Sequence, residues 1–526
     1  MRAIAASDAR VDAYLRRVTA HPPWWKRAVV YQIYPRSFAD SNGDGIGDLE
    51  GIRQCLDHLA WLGVDAIWIS PFFRSPMADF GYDVSDYCDV DPNFGTLDDF
   101  DALVAEAHAH SIKVIIDWVP NHSSDQHPWF QEARSSRDNP KRDWYIWRDP
   151  APDGGPPNNW IGAFIEGSAW TLDEASGQYY LHLFLPEQPD LNWRNPEVIE
   201  AMHATLRFWL DRGVDGFRMD VIMGIVKRED LADVEGGLVQ MADESRYDPP
   251  AVHERLRAIR TLLDSYPGDR VSIGEVFILS TAKVAEYYGK NDELHLSFNF
   301  PPLFAPWDAA KWRHRIERTE LELGKVAAWP TWVLSNHDNP RHRTRYGGSE
   351  ARARAAAVLL LTLRGTPTLY EGEELGLQDA VIPPERVVDP GGRDGCRAPI
   401  PWTASPPHGW DGAEPWLPFP PSPGELSVES LLTDESSILH LYRRLLAARS
   451  GSAALQSGDL TLLDAPEGVL AYERIAEEDG RVVLINFTSE SQAVDAGGTV
   501  EVSSIGRGEG QPFSGTLSPD EAVILS

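Results

Sequence analysis

The sequence predicts an α/β fold: a (β/α)₈ TIM barrel with a loop-rich subdomain inserted after its third strand and an antiparallel β domain at its C-terminus. Short apolar runs alternate with amphipathic helical stretches over most of the 526 residues, which is typical of a parallel sheet covered by helices. Eight such runs lie near residues 29, 65, 113, 216, 271, 295, 331 and 366. Eight parallel strands with crossover helices close most naturally into a barrel, and the alternative is a doubly wound open sheet.

The first part of the chain establishes this alternation. Residues 1–23 are predicted to form a short helical arm, and we expect the catalytic barrel domain over residues 1–121 and 194–455. The elements predicted in its first half are strands at 29–34, 65–70 and 113–119 and helices at 49–62 and 94–110. The run at 113–119 is almost continuously apolar, as expected of a strand buried on both faces.

The alternation stops after Asn121. Residues 122–193 are rich in Trp, Pro, Asn and Gly and contain one alternating segment at 179–184, so we predict an inserted subdomain there. The alternation then resumes with a helix that Asn195 can cap and that Gly213 can end. A short strand with charged residues near its end follows this helix.

The last part of the chain changes in character. Residues 379–435 are rich in Pro and Gly and are predicted to be loop, whereas 437–449 shows apolar residues at helical spacing. Residues 456–526 are predicted to form a C-terminal β-sandwich domain from short β-type runs at 460–463, 469–474, 481–486, 499–502 and 522–525.

Composition and charge narrow the function classes. The net charge of −32 argues against nucleic acid or an anionic membrane as partner. The three cysteines, Cys55, Cys88 and Cys396, are too widely spaced for a metal-binding pair or a disulfide framework, which predicts a reducing compartment. The N-terminus lacks the apolar region of a signal peptide, and no run approaches the roughly 18 apolar residues of a membrane span. We therefore expect a cytoplasmic protein without membrane contact.

Polar residues fall at the predicted carboxyl ends of four barrel strands, where the catalytic residues of such barrels lie. Each has a structural alternative, such as an ion pair, a satisfied buried carboxylate or turn chemistry. Their coincidence at equivalent strand ends predicts one site instead. Three carboxylates without Cys or His at metal-binding spacing indicate glycoside hydrolysis, in which one carboxyl is the acid and another the nucleophile or base. The residues are Asn121, His122, Arg218, Asp220, Glu275, His337 and Asp338.

An acidic, glycine-rich loop follows the first predicted strand. Residues 40–48 alternate oxygen-bearing side chains with glycine, and hard cations such as Ca²⁺ prefer those ligands. The loop resembles the first half of an EF-hand, but Gly51 stands at the twelfth position and helices do not flank it on both sides. The alternative is an Asp/Gly turn without an ion. The acidic residue and the glycine spacing of the loop argue against a phosphate-binding loop. The sequence also has no Gly-x-Ser-x-Gly motif, which argues against a serine hydrolase.

Four motifs carry a resemblance to a known family: Asp117-Trp-Val-Pro-Asn-His122, Gly216-Phe-Arg-Met-Asp220, Ile273-Gly-Glu275-Val and Ser335-Asn-His-Asp338. With them, the chain resembles the α-amylase superfamily, family 13 of the glycoside hydrolases, and most closely its α-glucosidase and oligo-1,6-glucosidase branch. The resemblance implies a retaining exo-α-glucosidase that releases glucose from the non-reducing end of short malto- or isomalto-oligosaccharides. The alternative is a transglucosylase or isomerase of the sucrose isomerase or trehalose synthase type.

The resemblance also implies roles for the charged residues. Asp220 attacks the anomeric carbon and forms a glucosyl-enzyme intermediate, and Glu275 protonates the leaving oxygen and later deprotonates water. The two carboxyls are then expected about 5–5.5 Å apart, with the pKa of Glu275 raised. Arg218 keeps Asp220 ionised by proximity, and Asp338 holds the sugar hydroxyls.

Further residues match the binding sites of that family. The expected partners of the terminal glucose are Asp79, Tyr82, His122, Phe164, Arg218, His337 and Arg397. The acidic loop matches a Ca²⁺ site formed by Asp40, Asn42, Asp44, the carbonyl of Ile46 and Asp48. Val221, directly after the nucleophile, accompanies a preference for α-1,6 linkages in relatives, but Ile222-Met223 departs from their usual sequence, so the linkage stays open.

Overall fold

The computed structural model describes residues 22–164, 167–235 and 244–526, so the predicted N-terminal arm lies almost entirely outside the described residues. The first strands are β1 (Val30–Ile33), β2 (Ala66–Ile69), β3 (Phe73–Arg74), β4 (Asp86–Val90) and β5 (Lys113–Trp118). The first helices are α1 (Trp24–Arg27), α2 (Pro35–Phe38), α3 (Leu49–Gln54), α4 (Leu56–Leu62) and α5 (Leu97–Ala109). The single helix predicted at 49–62 is divided at Cys55, whose N–H bonds back to the carbonyls of Ile52 and Arg53 in a tight turn.

After β5 the chain builds a small sheet of its own. Helix α6 (Pro128–Ser135) precedes the strands β6 (Trp147–Arg148), β7 (Trp170–Asp173) and β8 (Gln178–Leu181), which pair antiparallel in the order β6-β8-β7. A β-bridge between His122 and Asp190 joins the two ends of this segment beside the barrel.

The second half of the barrel follows with strands β9 (Gly216–Met219), β10 (Val271–Gly274), β11 (Leu296–Ser297), β12 (Thr331–Val333) and β13 (Thr366–Tyr370). Its helices are α7 (Pro196–Asp211), α8 (Pro249–Asp264), α9 (Thr281–Glu286), α10 (Phe300–Leu303), α11 (Ala309–Gly324), α12 (His342–Arg345) and α13 (Glu350–Thr362). The strands predicted near 295 and 331 are only two and three residues long, because the chain leaves the sheet early at its carboxyl edge.

Eight parallel strands form the central sheet in the order β11-β10-β9-β5-β2-β1-β13-β12. The hydroxyl of Thr331 on β12 donates to the carbonyl of Ser297 on β11 at 2.5 Å, which joins the two outer strands. The predicted TIM barrel is thereby confirmed, and the open doubly wound sheet is excluded. Its parallel registers bring the carboxyl ends of all eight strands to one rim.

Local sequence explains how the strand with the Gly216-Phe-Arg-Met-Asp220 motif is held. Asn195 caps α7 by accepting from the N–H of Glu197, and Gly213 ends the turn after it with φ of 97°, as predicted. Trp209 of this helix is buried among aromatic rings, and its indole N–H donates to the carbonyl of Tyr87 at 2.7 Å. Gly216 is required by packing, because a Cβ there would lie 2.5 Å from the carbonyl oxygen of Val271.

Two apolar cores hold the barrel. One fills its interior with side chains that point inward from the strands, such as Val30, Trp68, Ile115 and Ile273. The other lies between the strands and the surrounding helices and is much larger. Because both faces of the strands are buried, their sequences are mostly apolar, with a few buried hydroxyl residues such as Ser272 and Thr366.

The C-terminal part is an antiparallel β domain, as predicted. Helices α14 (Val428–Thr433), α15 (Ile438–Ser450) and α16 (Ala453–Ser457) precede β14 (Asp459–Leu463), β15 (Val469–Ala476), β16 (Asp479–Asn486), β17 (Gln492–Ala493), β18 (Val500–Ser503), β19 (Thr516–Leu517) and β20 (Ala522–Leu525). Five of the strands pair in the order β14-β15-β16-β20-β18, and β17 pairs with β19. Val494 and Leu517 pack on the larger sheet and close a small separate core.

Within the described residues, no helix has the length and apolar character needed to cross a membrane.

Candidate active site

A cavity of about 190 Å³ opens at the carboxyl edge of the barrel strands. It is lined by most of the residues that the sequence predicted for the sugar site: Asp79, Tyr82, His122, Phe164, Asp220, Glu275 and Asp338. A wider groove of about 620 Å³ lies between the inserted segment and the barrel, but it contains no predicted catalytic carboxylate. The smaller cavity is therefore the candidate active site.

Arg218 is buried behind Asp220 and Glu275, does not itself line the cavity, and binds three carboxylates. Its Nη1 donates to Asp117 at 2.9 Å and to Asp220 at 2.6 Å, and its Nη2 donates to Glu275 at 2.7 Å. These residues come from the adjacent strands β5, β9 and β10, or directly follow them. Asp220 and Glu275 thus bind neighbouring nitrogens of one guanidinium, and both line the cavity.

The charge around Arg218 is unbalanced. Burial raises the pKa of Asp220 well above its usual value; Arg218 opposes this effect, whereas Glu275 and Asp117 add to it. We expected Arg218 to keep Asp220 ionised, but the guanidinium is shared among three acids and cannot offset all of them. The folded protein therefore disfavours the charged form of Asp220.

The residue after Asp220 has a strained backbone conformation that lets its N–H bind Glu275. Val221 adopts φ of 42°, in the left-handed region, and a β-branched residue there costs about 1–3 kcal/mol. In this conformation its N–H donates to Glu275 Oε2 at 3.1 Å. The turn after β9 thus fixes the acid on β10 as well as presenting Asp220.

A hydrogen-bonded chain runs from Gln32 through His337 to Tyr82, and of these three residues Tyr82 lines the cavity. Gln32 Nε2 lies 2.7 Å from His337 Nδ1, and His337 Nε2 lies 2.6 Å from the hydroxyl of Tyr82, which donates to Asp117 at 3.2 Å. Burial lowers the pKa of His337 to about 3, so the ring is neutral and carries its proton on Nε2. Tyr82 stacks on His337 at 5.5 Å, so both predicted residues have fixed orientations.

Asp338 has the opposite electrostatic environment. Burial alone would raise its pKa, but His337, Arg393 and Arg397 outweigh burial and hold the pKa below the usual range. Because His337 is neutral, the two arginines carry this effect at neutral pH; their nitrogens lie 3.1 and 3.2 Å from Asp338 Oδ1. The side chain keeps 28% of its surface exposed and faces the cavity as an anion.

Arg393 is a cavity residue that the sequence reasoning missed. It binds Asp79 at 2.6 Å, Asp389 at 2.6 Å and Asp338 at 3.1 Å, and it is 8% exposed. Arg397, predicted to bind the sugar, is 0% exposed, donates to the carbonyl of His337 at 2.7 Å and does not line the cavity. The signal in the sequence was that one loop, Gly392-Arg-Asp-Gly-Cys-Arg397, carries two arginines.

Aromatic rings surround the opening. Phe164 is 37% exposed and covers the guanidinium of Arg393 at 4.3 Å, so the predicted residue does lie at the cavity. Phe277, Phe300 and Phe304 line the other side and were not predicted; the first follows Glu275 by two residues, which is the signal that could have found it. Apolar faces of this kind suit stacking against sugar rings.

The acidic loop at 40–48 folds around its own hydrogen bonds. Asp40 accepts from the N–H groups of Gly43 and Gly45 at 2.7 and 2.8 Å, and Asp48 accepts from the hydroxyl of Ser41 at 2.8 Å. No group of three or more His, Cys, Asp or Glu side chains in the described parts of the chain is arranged to hold a metal ion. A cation would therefore have to draw Asp40, Asp44 and Asp48 together with the oxygens of Asn42 and Ile46, a set of hard donors of the kind that Ca²⁺ prefers.

Comparison with known proteins decides the family. The α-amylase catalytic domain matches residues 32–458, which include the whole cavity. The chain belongs to the α-amylase family. Within it, a probable α-glucosidase of Rhizobium meliloti (strain 1021) is 44% identical over 502 residues, covering 89% of this chain and 90% of the relative. An oligo-1,6-glucosidase of Parageobacillus thermoglucosidasius is 40% identical over 518 residues, with 89% and 91% covered.

Solved structures of the α-amylase family agree with this assignment. The α-glucosyl transfer enzyme XgtA superposes with a TM-score of 0.89 at 42% identity, covering 96% of this chain and 100% of its own. The trehalulose synthase MutB from Pseudomonas mesoacidophila MX-45 gives a TM-score of 0.90 at 34% identity with the same coverage. The predicted family and branch are confirmed, and the protein is a glycoside hydrolase.

Replacing Asp220 with Asn is expected to stabilise the fold at neutral pH. The folded-state pKa of Asp220 lies above its unfolded value of about 3.9, so at pH 7 the folded state disfavours the charged form that the unfolded state prefers. The amide removes this cost and is expected to add on the order of 0.5–2 kcal/mol to the free energy of unfolding.

The gain is expected to disappear below about pH 4, where both states are protonated. Thermal unfolding of wild type and Asp220→Asn across the acid to neutral range measures it. Asp57→Asn, at a side chain 93% exposed, is the control and is expected to show no gain. A variant that is less stable than wild type at neutral pH contradicts the unbalanced charge around Arg218.

Proposed function

We propose that the protein is a retaining exo-α-glucosidase that releases glucose from the non-reducing end of short α-glucosides. The observation that carries this proposal is the placement of Asp220 and Glu275 on adjacent nitrogens of Arg218 inside a cavity sized for one sugar ring. Carboxyls this close leave no room for water between them, which favours a retaining over an inverting mechanism.

In this mechanism Asp220 attacks the anomeric carbon while Glu275 gives its proton to the leaving oxygen. A proton on Glu275 supplies the acid, and Arg218, which donates to Asp220 at 2.6 Å, balances the charge of Asp220 as it becomes the nucleophile. Water then loses a proton to Glu275 and displaces the sugar from Asp220, which restores the starting state. Asp338, held as an anion, stabilises the positive charge that develops on the ring.

The closed end of the cavity supports exo action. Arg393 bridges Asp79 and Asp338 there, and Gln188 donates to Asp79 at 3.0 Å. These buried polar groups are placed to bind the hydroxyls of a terminal glucose. Specificity for such a group is strong, because a sugar that lacks a hydroxyl would leave buried charges unpaired.

Glucosyl transfer is the second candidate. Phe277, Phe300 and Phe304 give the acceptor side of the cavity an apolar lining, which favours a sugar over water as acceptor. XgtA is an α-glucosyl transfer enzyme and MutB is a trehalulose synthase, and both share the fold found here. Hydrolysis and transfer share the same glucosyl-enzyme, so the two candidates differ only in its second step.

We also propose that Ca²⁺ binds the loop at 40–48 in a structural role. Asp40, Asn42, Asp44, the Ile46 carbonyl and Asp48 would hold it, and their oxygens are the ligands that the ion prefers. The loop packs on the segment around Asp411 through close backbone contacts at Gly43, so an ion there would brace two loops at the catalytic edge.

A panel of maltose, isomaltose, sucrose and trehalose tests the function. Wild type is expected to release free glucose from at least one of them with the α-anomer formed first, and Asp220→Asn is expected to lose at least about 10⁴-fold in kcat. Val221→Thr, at the cavity wall, is expected to shift the maltose to isomaltose ratio without abolishing activity. Equal activity of wild type and Asp220→Asn, or initial β-glucose, overturns the proposal; disaccharide products without free glucose favour transfer.

Chelation tests the cation. Removing Ca²⁺ with EGTA is expected to lower the melting temperature by several degrees, corresponding to roughly 1–3 kcal/mol of lost binding. Asp44→Ala is expected to start at the lower temperature and to respond to neither chelator nor added Ca²⁺, whereas the exposed Asp57→Asn keeps the wild-type response. If neither EGTA nor added Ca²⁺ changes the melting temperature of wild type, the loop is an Asp/Gly turn without an ion.

A further inference from the structure

We infer that Lys227 is a positioning residue of the sugar site: through Asn121 it fixes the tautomer of His122, so that His122 Nε2–H faces the cavity as a hydrogen-bond donor. The inference rests on the proposed function, because it gives a task to a ring that lines the proposed glucose pocket. It concerns a residue outside the cavity, seven positions after Asp220.

Lys227 is a buried charge with a specific pair of partners. Its side chain is 2% exposed, and Nζ lies 2.7 Å from Asp190 Oδ2 and 2.5 Å from Asn121 Oδ1. Asp190 neutralises the ammonium, which would otherwise be costly to bury. An ammonium can only donate hydrogen bonds, so the atom of Asn121 that faces it must be the oxygen.

The contact with Lys227 also fixes the direction of the Asn121 NH₂ group. With Asn121 Oδ1 held by Lys227, the Nδ2 group faces His122 Nδ1 at 3.1 Å. On the far side of the ring, Gln188 Nε2 faces His122 Nε2, also at 3.1 Å. That amide is fixed too, because its oxygen accepts from the N–H of Leu185 at 3.1 Å. The ring therefore lies between two NH₂ groups.

A neutral imidazole can accept a hydrogen bond at only one of its nitrogens. One of the two NH₂ groups therefore cannot donate to His122. Gln188 Nε2 already donates to the carboxylate of Asp79 at 3.0 Å. For Asn121 Nδ2, the described part of the chain offers His122 Nδ1 as its one hydrogen-bond partner. The arrangement that leaves no buried NH₂ without an acceptor puts the lone pair on Nδ1 and the proton on Nε2.

The consequence is a donor at the cavity wall. Burial lowers the pKa of His122 to about 4, so the ring is neutral at neutral pH and has one N–H to give. Nε2–H lies on the side of Gln188, which donates to the cavity residue Asp79. A sugar hydroxyl oxygen bound there can accept from it.

The charges that face His122 come from three segments: Asp190, Lys227 and, across Gln188, Asp79. Asp190 raises the pKa of His122 and Lys227 lowers it, and the carbonyl of Tyr82 near the ring also raises it. A carboxylate in place of the Asn121 amide raises the pKa of His122 further.

Asn121→Asp is the sharpest test. Its oxygens are both acceptors, so Lys227 keeps a partner while His122 Nδ1 acquires the proton, and the pKa of His122 rises. Below that new pKa the imidazolium still has Nε2–H; above it the neutral ring has Nδ1–H and presents a lone pair to the sugar. We expect kcat/KM of the variant to fall about tenfold to a hundredfold, the range for losing one buried hydrogen bond, as the pH rises through this pKa. Wild type shows no such fall there.

A second variant and a spectrum guard against misfolding. Lys227→Met combined with Asp190→Asn removes the ion pair without leaving a buried charge, frees the Asn121 amide to turn, and is expected to lose a similar factor at every pH. In ¹⁵N-histidine-labelled wild type, with His122→Gln identifying the signal, His122 is expected to be protonated on Nε2.

A wild-type ring protonated on Nδ1 overturns the inference, as does a pH profile of Asn121→Asp parallel to that of wild type. Neither result contradicts the proposed function. The proposed function is contradicted by a different result, namely wild type that neither releases glucose nor transfers it.

Discussion

The geometry of this active site depends on one buried guanidinium. Arg218 binds Asp117, Asp220 and Glu275, which three neighbouring strands supply. The parallel register makes this possible, since Arg218 lies opposite Asp117 on β5 and opposite Ile273 on β10. A shift of one residue in either pairing would turn the motif's side chains to the other face of the sheet. The packing at Gly216 and the cap at Asn195 matter because they hold β9 in that register.

The site separates its carboxylates into two electrostatic classes. Around Arg218 acids outnumber the cation, and burial raises the pKa of Asp220. Around Asp338 the cations Arg393 and Arg397 outweigh burial, so this acid stays ionised. Groups whose surroundings push their pKa values apart are suited to different roles in one reaction. A proton donor and a fixed anion within one cavity are what glycosidic bond cleavage at neutral pH requires.

The barrel and its rim could be predicted from the sequence because both follow from local patterns. Apolar runs gave the strands, and parallel strands bring their ends together, so His122, Asp220, Glu275 and Asp338 were found without any knowledge of long-range contacts. The division of the helix at Cys55 was missed, because it depends on a turn that the apolar spacing does not reveal.

The loops were less predictable, because long-range packing decides which of their side chains faces the cavity. Arg393 and Arg397 share one loop and both touch Asp338, yet only the first lines the pocket, since Asp79 and Phe164 hold it there. The role of Lys227 is of the same kind: it follows from contacts with Asn121 and Asp190 that lie far away in the sequence.

The most direct test of the account is to trap the covalent intermediate. 5-Fluoro-α-D-glucosyl fluoride carries a leaving group that needs little acid assistance and gives a glucosyl-enzyme that turns over slowly. Peptide mapping of the labelled protein is predicted to place one fluoroglucosyl group on Asp220, with no label in Asp220→Asn. A label on Glu275 or Asp338, or substrate turnover without any covalent species in rapid-quench samples, would contradict the assignment of Asp220 as the nucleophile held by Arg218.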